Sequence, residues 1–132
     1  MPAAQPALFD TVSRMDPLKF WSNHGLGYKK VTDFLDFDNN ELSKLGGVSK
    51  RSVRLDERIP IELRDRLEQI ANIISLVAEN FEGDPRKTTL WFKTPNPLLG
   101  GISPRDMIRY GRYKRLIKFI STARQANTGS GP

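Results

Sequence analysis

The chain has 132 residues, of which 38% are hydrophobic and none is cysteine, and its formal net charge is +6. This length suits one compact unit or two small lobes that share a core, and the lack of cysteine excludes disulfides, thiolate nucleophiles and cysteine metal sites. The sequence has no apolar run long enough to cross a bilayer and no recognisable secretion signal, so we expect a cytoplasmic protein.

The first elements are an arm, a turn and a helix. Residues 1–22 are expected to form an N-terminal arm, in which the Asp-Pro pair at 16–17 predicts the start of a short helix through Trp21. The glycines of 23–27 indicate a turn. The apolar residues of 28–37 follow helical spacing and predict the next helix. We find no convincing strand pattern anywhere in the chain.

Residues 23–58 have the pattern of a helix-turn-helix. A small residue, Ser43, stands where two helices are expected to cross closely, and Gly47 permits the positive φ of a sharp turn. Ser49 is a good cap for a second, recognition helix. On that helix the DNA-binding residues are predicted to be Ser49, Lys50, Arg51, Ser52 and Arg54.

The alternative is that this segment is a scaffold that binds nothing. Acids crowd its first helix, and Asp56 and Glu57 follow the recognition residues, where they would face phosphate. The sequence leaves both interpretations open.

Residues 59–83 predict the longest helix. Apolar residues recur in steps of four and three and form a seam along one side. We favour a connecting helix that also mediates a homodimer, and the alternative is the central core helix of a monomer. The seam residues are Leu63, Leu67, Ile70, Ile74, Val77 and Phe81.

Residues 84–124 predict three helices separated by a loop and a glycine. Asp84 and Pro85 begin the first helix, and the prolines of 94–97 end it. Ser103 caps a second helix that stops at Gly111, and a last helix follows. Residues 125–132 are expected to be a disordered tail.

Positive charge is concentrated in this part of the chain. Between residues 86 and 118 there are nine cations and one acid, Asp106, so the segment carries +8, more than the net charge of the whole chain. Such a balance favours an acidic protein face, a nucleotide or nucleic acid as partner.

Residues suited to catalysis are scarce. The one histidine, His24, lies in a glycine-flanked turn, and no carboxylate cluster has metal-ligand spacing. With His24 as the only candidate imidazole base we do not expect a serine triad, and no glycine pair is followed by the Lys-Ser/Thr of a phosphate loop. We therefore expect a protein that is not an enzyme and that uses no cofactor or metal.

The most specific motif is LWFKTPNPLLGGISPRDMI, residues 90–108, followed by Gly111. It resembles the toxin-binding domain of Xre/MbcA/ParS-type antitoxins, in which a tryptophan helix leads into a TPNPLLGG loop, a Pro-started helix, a glycine and a final apolar helix. The resemblance implies an all-α fold with an N-terminal Xre-like helix-turn-helix lobe, a connecting helix and a C-terminal toxin-binding lobe.

The resemblance also implies a partner, a RES-domain toxin similar to ADP-ribosyltransferases that consume or transfer from NAD. We expect an antitoxin that covers the entrance of the toxin's NAD pocket, and Trp91 to be core rather than contact. The alternative function is a DNA-binding transcription regulator, with operator DNA as partner, and both functions are compatible. The predicted toxin contacts are Asn96, Leu99, Arg105, Arg109, Tyr110, Arg112, Tyr113 and Lys114.

Overall fold

Six α-helices and one short β-hairpin form the regular structure of residues 16–129, which the computed structural model describes, with side chains to residue 126. Most of this chain is helical. The predicted arm up to residue 15 and the last three residues of the predicted tail lie outside the described residues. The elements are β1 (Trp21–Ser22), β2 (Gly25–Leu26), α1 (Tyr28–Phe34), α2 (Asn39–Gly46), α3 (Ile61–Asn80), α4 (Pro85–Lys93), α5 (Pro104–Arg109) and α6 (Tyr113–Gly129).

Helix α3 forms the centre of the hydrophobic core. It contacts α1, α2, α4 and α6, and the buried apolar residues make one continuous cluster from Phe20 to Ile120. Each fully buried large aliphatic side chain contributes roughly 1.5–3 kcal/mol. The seam is covered within a single chain, as expected of a central core helix, so the apolar face that suggested a homodimer is not exposed. The buried apolar residues of α3 are Leu63, Leu67, Ile70, Ala71, Ile73, Ile74, Leu76, Val77 and Ala78.

The prediction of a short helix through Trp21 is wrong. The Asp16 carboxylate accepts hydrogen bonds from the backbone N–H groups of Phe20 and Trp21, both at 2.9 Å, and so takes donors that a helix would use. Trp21 pairs with Leu26 in the antiparallel hairpin, an element we did not predict. The turn predicted at 23–27 is confirmed, since it contains the hairpin loop.

The short helix predicted from Asn40 and the glycine turn predicted at Gly47 are confirmed. Asp38 and Glu41 form a capping box at the start of α2, and Gly47 ends the helix in the left-handed conformation, with φ +64°. Gly46, not Ser43, permits the close approach of α2 to α3, because a Cβ at Gly46 would lie 3.0 Å from the Cβ of Leu63.

The prediction of a second, recognition helix is wrong. Only one 3-10 turn forms, Lys50–Ser52, and the Ser49 hydroxyl lies 2.9 Å from the Ser52 hydroxyl instead of capping a backbone N–H. The Asp56 carboxylate accepts the backbone N–H of Arg58 and binds the Arg54 guanidinium. These local side-chain bonds compete with helical backbone bonds.

The C-terminal helix starts are confirmed. Asp84 accepts from the N–H groups of the first turn of α4, with Pro85 as its first residue, and Ser103 accepts from the N–H of Asp106 in α5. Gly111 separates α5 from α6 with φ +77°.

The disordered tail predicted from residue 125 is wrong as far as residue 129, because α6 continues to Gly129. Arg124 anchors this end of the helix by donating to the Leu76 carbonyl at 2.9 Å and to Glu79 at 3.0 Å. No helix of residues 16–129 combines the length and apolar character that crossing a bilayer requires.

Candidate functional site

The loop between α4 and α5 is fixed by its own hydrogen bonds. The Asn96 side chain accepts from the N–H of Leu98 at 2.9 Å, and the Asn96 N–H donates to the carbonyl of Ile102 at 3.1 Å. Gly100 and Gly101 both have positive φ, which lets the chain return within a few residues. Asn96, a predicted toxin contact, therefore shapes the loop, and the loop holds its side chains in set directions.

Two neighbouring leucines of this loop have opposite environments. Leu98 is 77% exposed, whereas Leu99 is 2% exposed and belongs to the hydrophobic core. The prediction that Leu99 contacts a partner is therefore wrong, because its side chain is already covered. Leu98 is the residue that the loop presents to solvent, and nothing in the sequence of a Leu-Leu pair distinguishes the two.

The corner between α5 and α6 presents an aromatic ring flanked by two guanidinium groups. Tyr110 is 53% exposed. The Arg109 guanidinium lies 4.6 Å from the centre of its ring and donates to the Tyr110 hydroxyl at 2.9 Å, while Arg112 approaches to 5.8 Å. The hydrogen bond from Arg109 to Asp106 raises the pKa of Arg109 and fixes its side chain.

Comparison with known proteins does not identify this site. No family model, curated protein or solved structure matches the chain.

Arg105, another predicted contact, uses its donors inside the fold. Its Nε donates to the Leu35 carbonyl, and Nη2 donates to the Asp36 carbonyl at 2.8 Å and to the Glu41 carboxylate at 3.1 Å. The guanidinium also lies over the ring of Phe37, 4.7 Å from its centre. Its side chain is only 18% exposed, so we assign Arg105 a structural role and remove it from the contact set.

Two of the acids that crowd the N-terminal helices, Asp36 and Glu41, are partners of C-terminal cations. Besides the pair of Glu41 with Arg105, Lys93 of α4 donates to the Asp36 carboxylate. This hydrogen bond holds the pKa of Asp36 below its usual value. The charges that we expected to oppose DNA therefore join the two halves of the chain.

Tyr113 fixes the start of α6. The Arg66 guanidinium of α3 lies 4.1 Å from the centre of the Tyr113 ring and donates to the Leu45 carbonyl at 3.2 Å. Burial of the half-covered ring raises the pKa of Tyr113. Two predicted toxin contacts lie on this helix. Tyr113 is mainly a packing residue, whereas Lys114 is exposed to solvent.

The predicted DNA-binding residues are all exposed, but a single 3-10 turn and not an α-helix carries them. Arg54 is paired with Asp56, its Nε lying 2.7 Å from Oδ1, and this bond raises the pKa of Arg54. The same contact lowers the pKa of Asp56 to about 2. A single turn followed by extended chain lacks the shape that enters a major groove.

A shallow groove lies between α1 and α4. It has a volume of about 580 Å³, and its walls include Phe34, Pro85 and Leu90, with Asp36 and Lys93 at one edge. Leu90 is 67% exposed, whereas Trp91 next to it packs against the core, as expected.

Groups that could support metal binding are not brought together in residues 16–126. No cluster of three or more His, Cys, Asp or Glu side chains is close enough to hold an ion there. His24 is exposed in the hairpin loop, and its backbone N–H donates to the Ser22 hydroxyl at 3.1 Å.

Proposed function

We propose that this chain neutralises a RES-domain toxin by binding it through Leu98, Tyr110 and Arg112. The observation that carries the proposal is the exposure of Leu98 and Tyr110, two large side chains held out by hydrogen-bonded turns within the segment whose motif resembles a toxin-binding domain. Interfaces concentrate their binding free energy in a few side chains, among which tyrosine and arginine are enriched. An exposed leucine such as Leu98 adds apolar surface that binding would remove from water.

Inhibition is expected to be steric. A pocket that accepts the pyrophosphate of NAD favours negative charge in its ligand, so a cationic segment is a poor mimic of NAD. The free cations around Tyr110, among them Arg112 and Lys114, suit an acidic surface beside the pocket entrance. The antitoxin would then cover the entrance and exclude the substrate.

The proposal predicts a RES-domain toxin in the neighbouring reading frame, and the test is to mix the chain with that protein. Wild-type chain should co-elute with the toxin and stop its NAD turnover. Leu98→Ser and Tyr110→Ala should each weaken inhibition at least tenfold, because each removes a contact anchor. Ile61→Ser is the matched control, since Ile61 is 62% exposed but lies outside this segment.

Two outcomes contradict the proposal. In one, the two proteins elute separately and NAD turnover continues. In the other, Leu98→Ser and Tyr110→Ala inhibit as well as the Ile61→Ser control does.

A further inference from the structure

The solvent face of α6 carries cations without acids. Leu116 and Ile120 bury the opposite face in the core, and the sequence has no Asp or Glu after Asp106. From Lys114 to Thr122 the exposed side chains of this face are therefore all cationic or hydroxyl-bearing. Its exposed members include Lys114, Arg115, Lys118, Ser121 and Thr122.

These cations have no acidic partner, unlike several other cations on the surface. Lys29, Arg54 and Arg64 are also exposed, and each is neutralised by an aspartate. Within residues 16–126, by contrast, Lys114, Arg115 and Lys118 make no ion pair. Their ammonium and guanidinium groups are available to a ligand.

We propose that this face of α6 binds the phosphate backbone of double-stranded DNA without reading its sequence. A helix rises 1.5 Å per residue, so Lys114 to Thr122 span about 12 Å, the axial length of about three phosphates on one strand. Lysine, arginine, serine and threonine are the side chains that donate to phosphate oxygens.

The composition of the face argues against an acidic protein as the ligand. A protein interface needs apolar or aromatic anchors at its centre, and the exposed residues from Lys114 to Thr122 include none. Phosphate contacts need no such anchors, since counterion release supplies the driving force. Arg115 and Lys118, the residues substituted in the test, are not among the proposed toxin contacts, so the inference does not depend on the proposed toxin.

The site differs from the one that the helix-turn-helix pattern suggested. In that segment Arg54 is paired and Glu57 follows, so Lys50 and Arg51 are its remaining candidates. On α6 the three cations share one face of one helix.

The experiment measures binding of the full chain to a short fluorescent duplex of random sequence by anisotropy, from 50 to 200 mM salt. Three phosphate contacts give a slope of about −3 for log K against log salt concentration. The Arg115→Gln/Lys118→Gln variant should reduce the slope to about −1 and weaken binding at least tenfold at low salt.

Two control variants lose the same net charge. Lys29→Gln/Arg64→Gln removes paired cations and Lys50→Gln/Arg51→Gln removes the loop cations, and both should keep the wild-type slope. Circular dichroism of each variant checks that the helices are intact, which the exposure of all six side chains favours.

Several results would overturn the inference. One is a wild-type chain that does not bind the duplex at 50 mM salt. Another is a control variant that loses as much affinity as the α6 variant does. Polyglutamate that competes as well as unlabelled duplex would show that any polyanion suffices. Toxin inhibition by Arg115→Gln/Lys118→Gln should stay at the wild-type level, which separates this inference from the proposed function.

Discussion

Arg105 and Glu41, 64 residues apart in sequence, form a partly buried ion pair in which Nη2 lies 3.1 Å from Oε1 and 3.3 Å from Oε2. The same Glu41 carboxylate accepts the N–H of Asp38 at 3.0 Å in the capping box of α2. One side chain thus begins α2 and holds α5 against it. The segment that contains the loop around Asn96 is tied in this way to the N-terminal helices.

Arg105→Ala should lower the free energy of unfolding by about 2 kcal/mol. The change removes one donor from the Glu41 carboxylate and leaves the carbonyls of Leu35 and Asp36 without theirs. Such losses cost about 1–3 kcal/mol. We choose a middle value because both side chains are about one-fifth exposed. The urea midpoint measures the effect. Arg64→Ala, which breaks an exposed pair with Asp65, is the control and should cost under about 1 kcal/mol.

A double-mutant cycle tests whether Glu41 and Arg105 act through each other. Glu41→Gln and Arg105→Ala should be coupled by about 1 kcal/mol, since residues in one hydrogen-bonded network lose the shared contact only once. Unfolding free energies of the two single variants and the double variant give the coupling. Strictly additive effects would mean that the pair contributes nothing beyond its separate contacts.

Two adjacent glycines should respond differently to substitution. Gly46→Ala brings a Cβ to 3.0 Å from the Leu63 Cβ and 3.1 Å from its Cα, and such overpacking costs about 1–3 kcal/mol. Gly47 has φ +64° and open space around it, so its cost comes from the backbone.

Substitution by asparagine separates overpacking at Gly46 from the backbone requirement at Gly47. Asparagine tolerates the left-handed conformation, so Gly47→Asn should be more stable than Gly47→Ala, whereas Gly46→Asn should be worse than Gly46→Ala. Thermal unfolding of the four variants measures this. If asparagine rescues Gly46 instead, the contact with Leu63 is not the constraint.

The Asp56 carboxyl should titrate with a pKa of about 2 in the folded chain. Its hydrogen bond with Arg54 and the N–H of Arg58 hold the pKa below the usual 3.8. A pKa lowered by folding contributes stability at pH values above 3.8 and loses it as the pH falls towards 2. Carboxyl NMR titration of Arg54→Gln should show the pKa rising towards 3.8. An unchanged pKa would mean that Arg54 does not hold the carboxylate.

The helix boundaries that were predictable depend on local hydrogen bonds. The side chains of Asp84 and Ser103 accept hydrogen bonds from backbone N–H groups of the helical turn that follows each of them. Gly47 ends α2 because it adopts the left-handed conformation. The prediction of the recognition helix was wrong, and local hydrogen bonds are again involved. The Asp56 carboxylate binds the Arg54 guanidinium and accepts the backbone N–H of Arg58. The continuation of α6 depends on the distant anchor from Arg124 to α3, which no local pattern contains.

The site was less predictable than the fold because side-chain direction decides it. The sequence marks the loop around Asn96 and the corner at Tyr110, and both are present. It does not reveal that Arg105 turns inward to the carbonyls of Leu35 and Asp36, since this contact joins residues 70 and 69 positions apart.

The two loop leucines provide the sharpest test of the candidate surface. Leu99→Ala should lower the free energy of unfolding by about 2–5 kcal/mol, because it removes a fully packed side chain. Leu98→Ala should change it by less than about 0.5 kcal/mol, since 77% of that side chain is already in solvent. Urea denaturation measures both.

Binding should show the opposite order. If Leu98 anchors the toxin, as we propose, Leu98→Ala should raise the Kd of the complex about tenfold or more, while the folded fraction of Leu99→Ala binds nearly as well as wild type. Calorimetric titration at a temperature where both variants are folded compares them directly. A Leu98→Ala chain that is as tightly bound as wild type would place the toxin contact elsewhere on the molecule, whatever the stability data show. The stability and binding measurements together therefore distinguish Leu99, which packs the loop against the core, from Leu98, which the loop exposes to a partner.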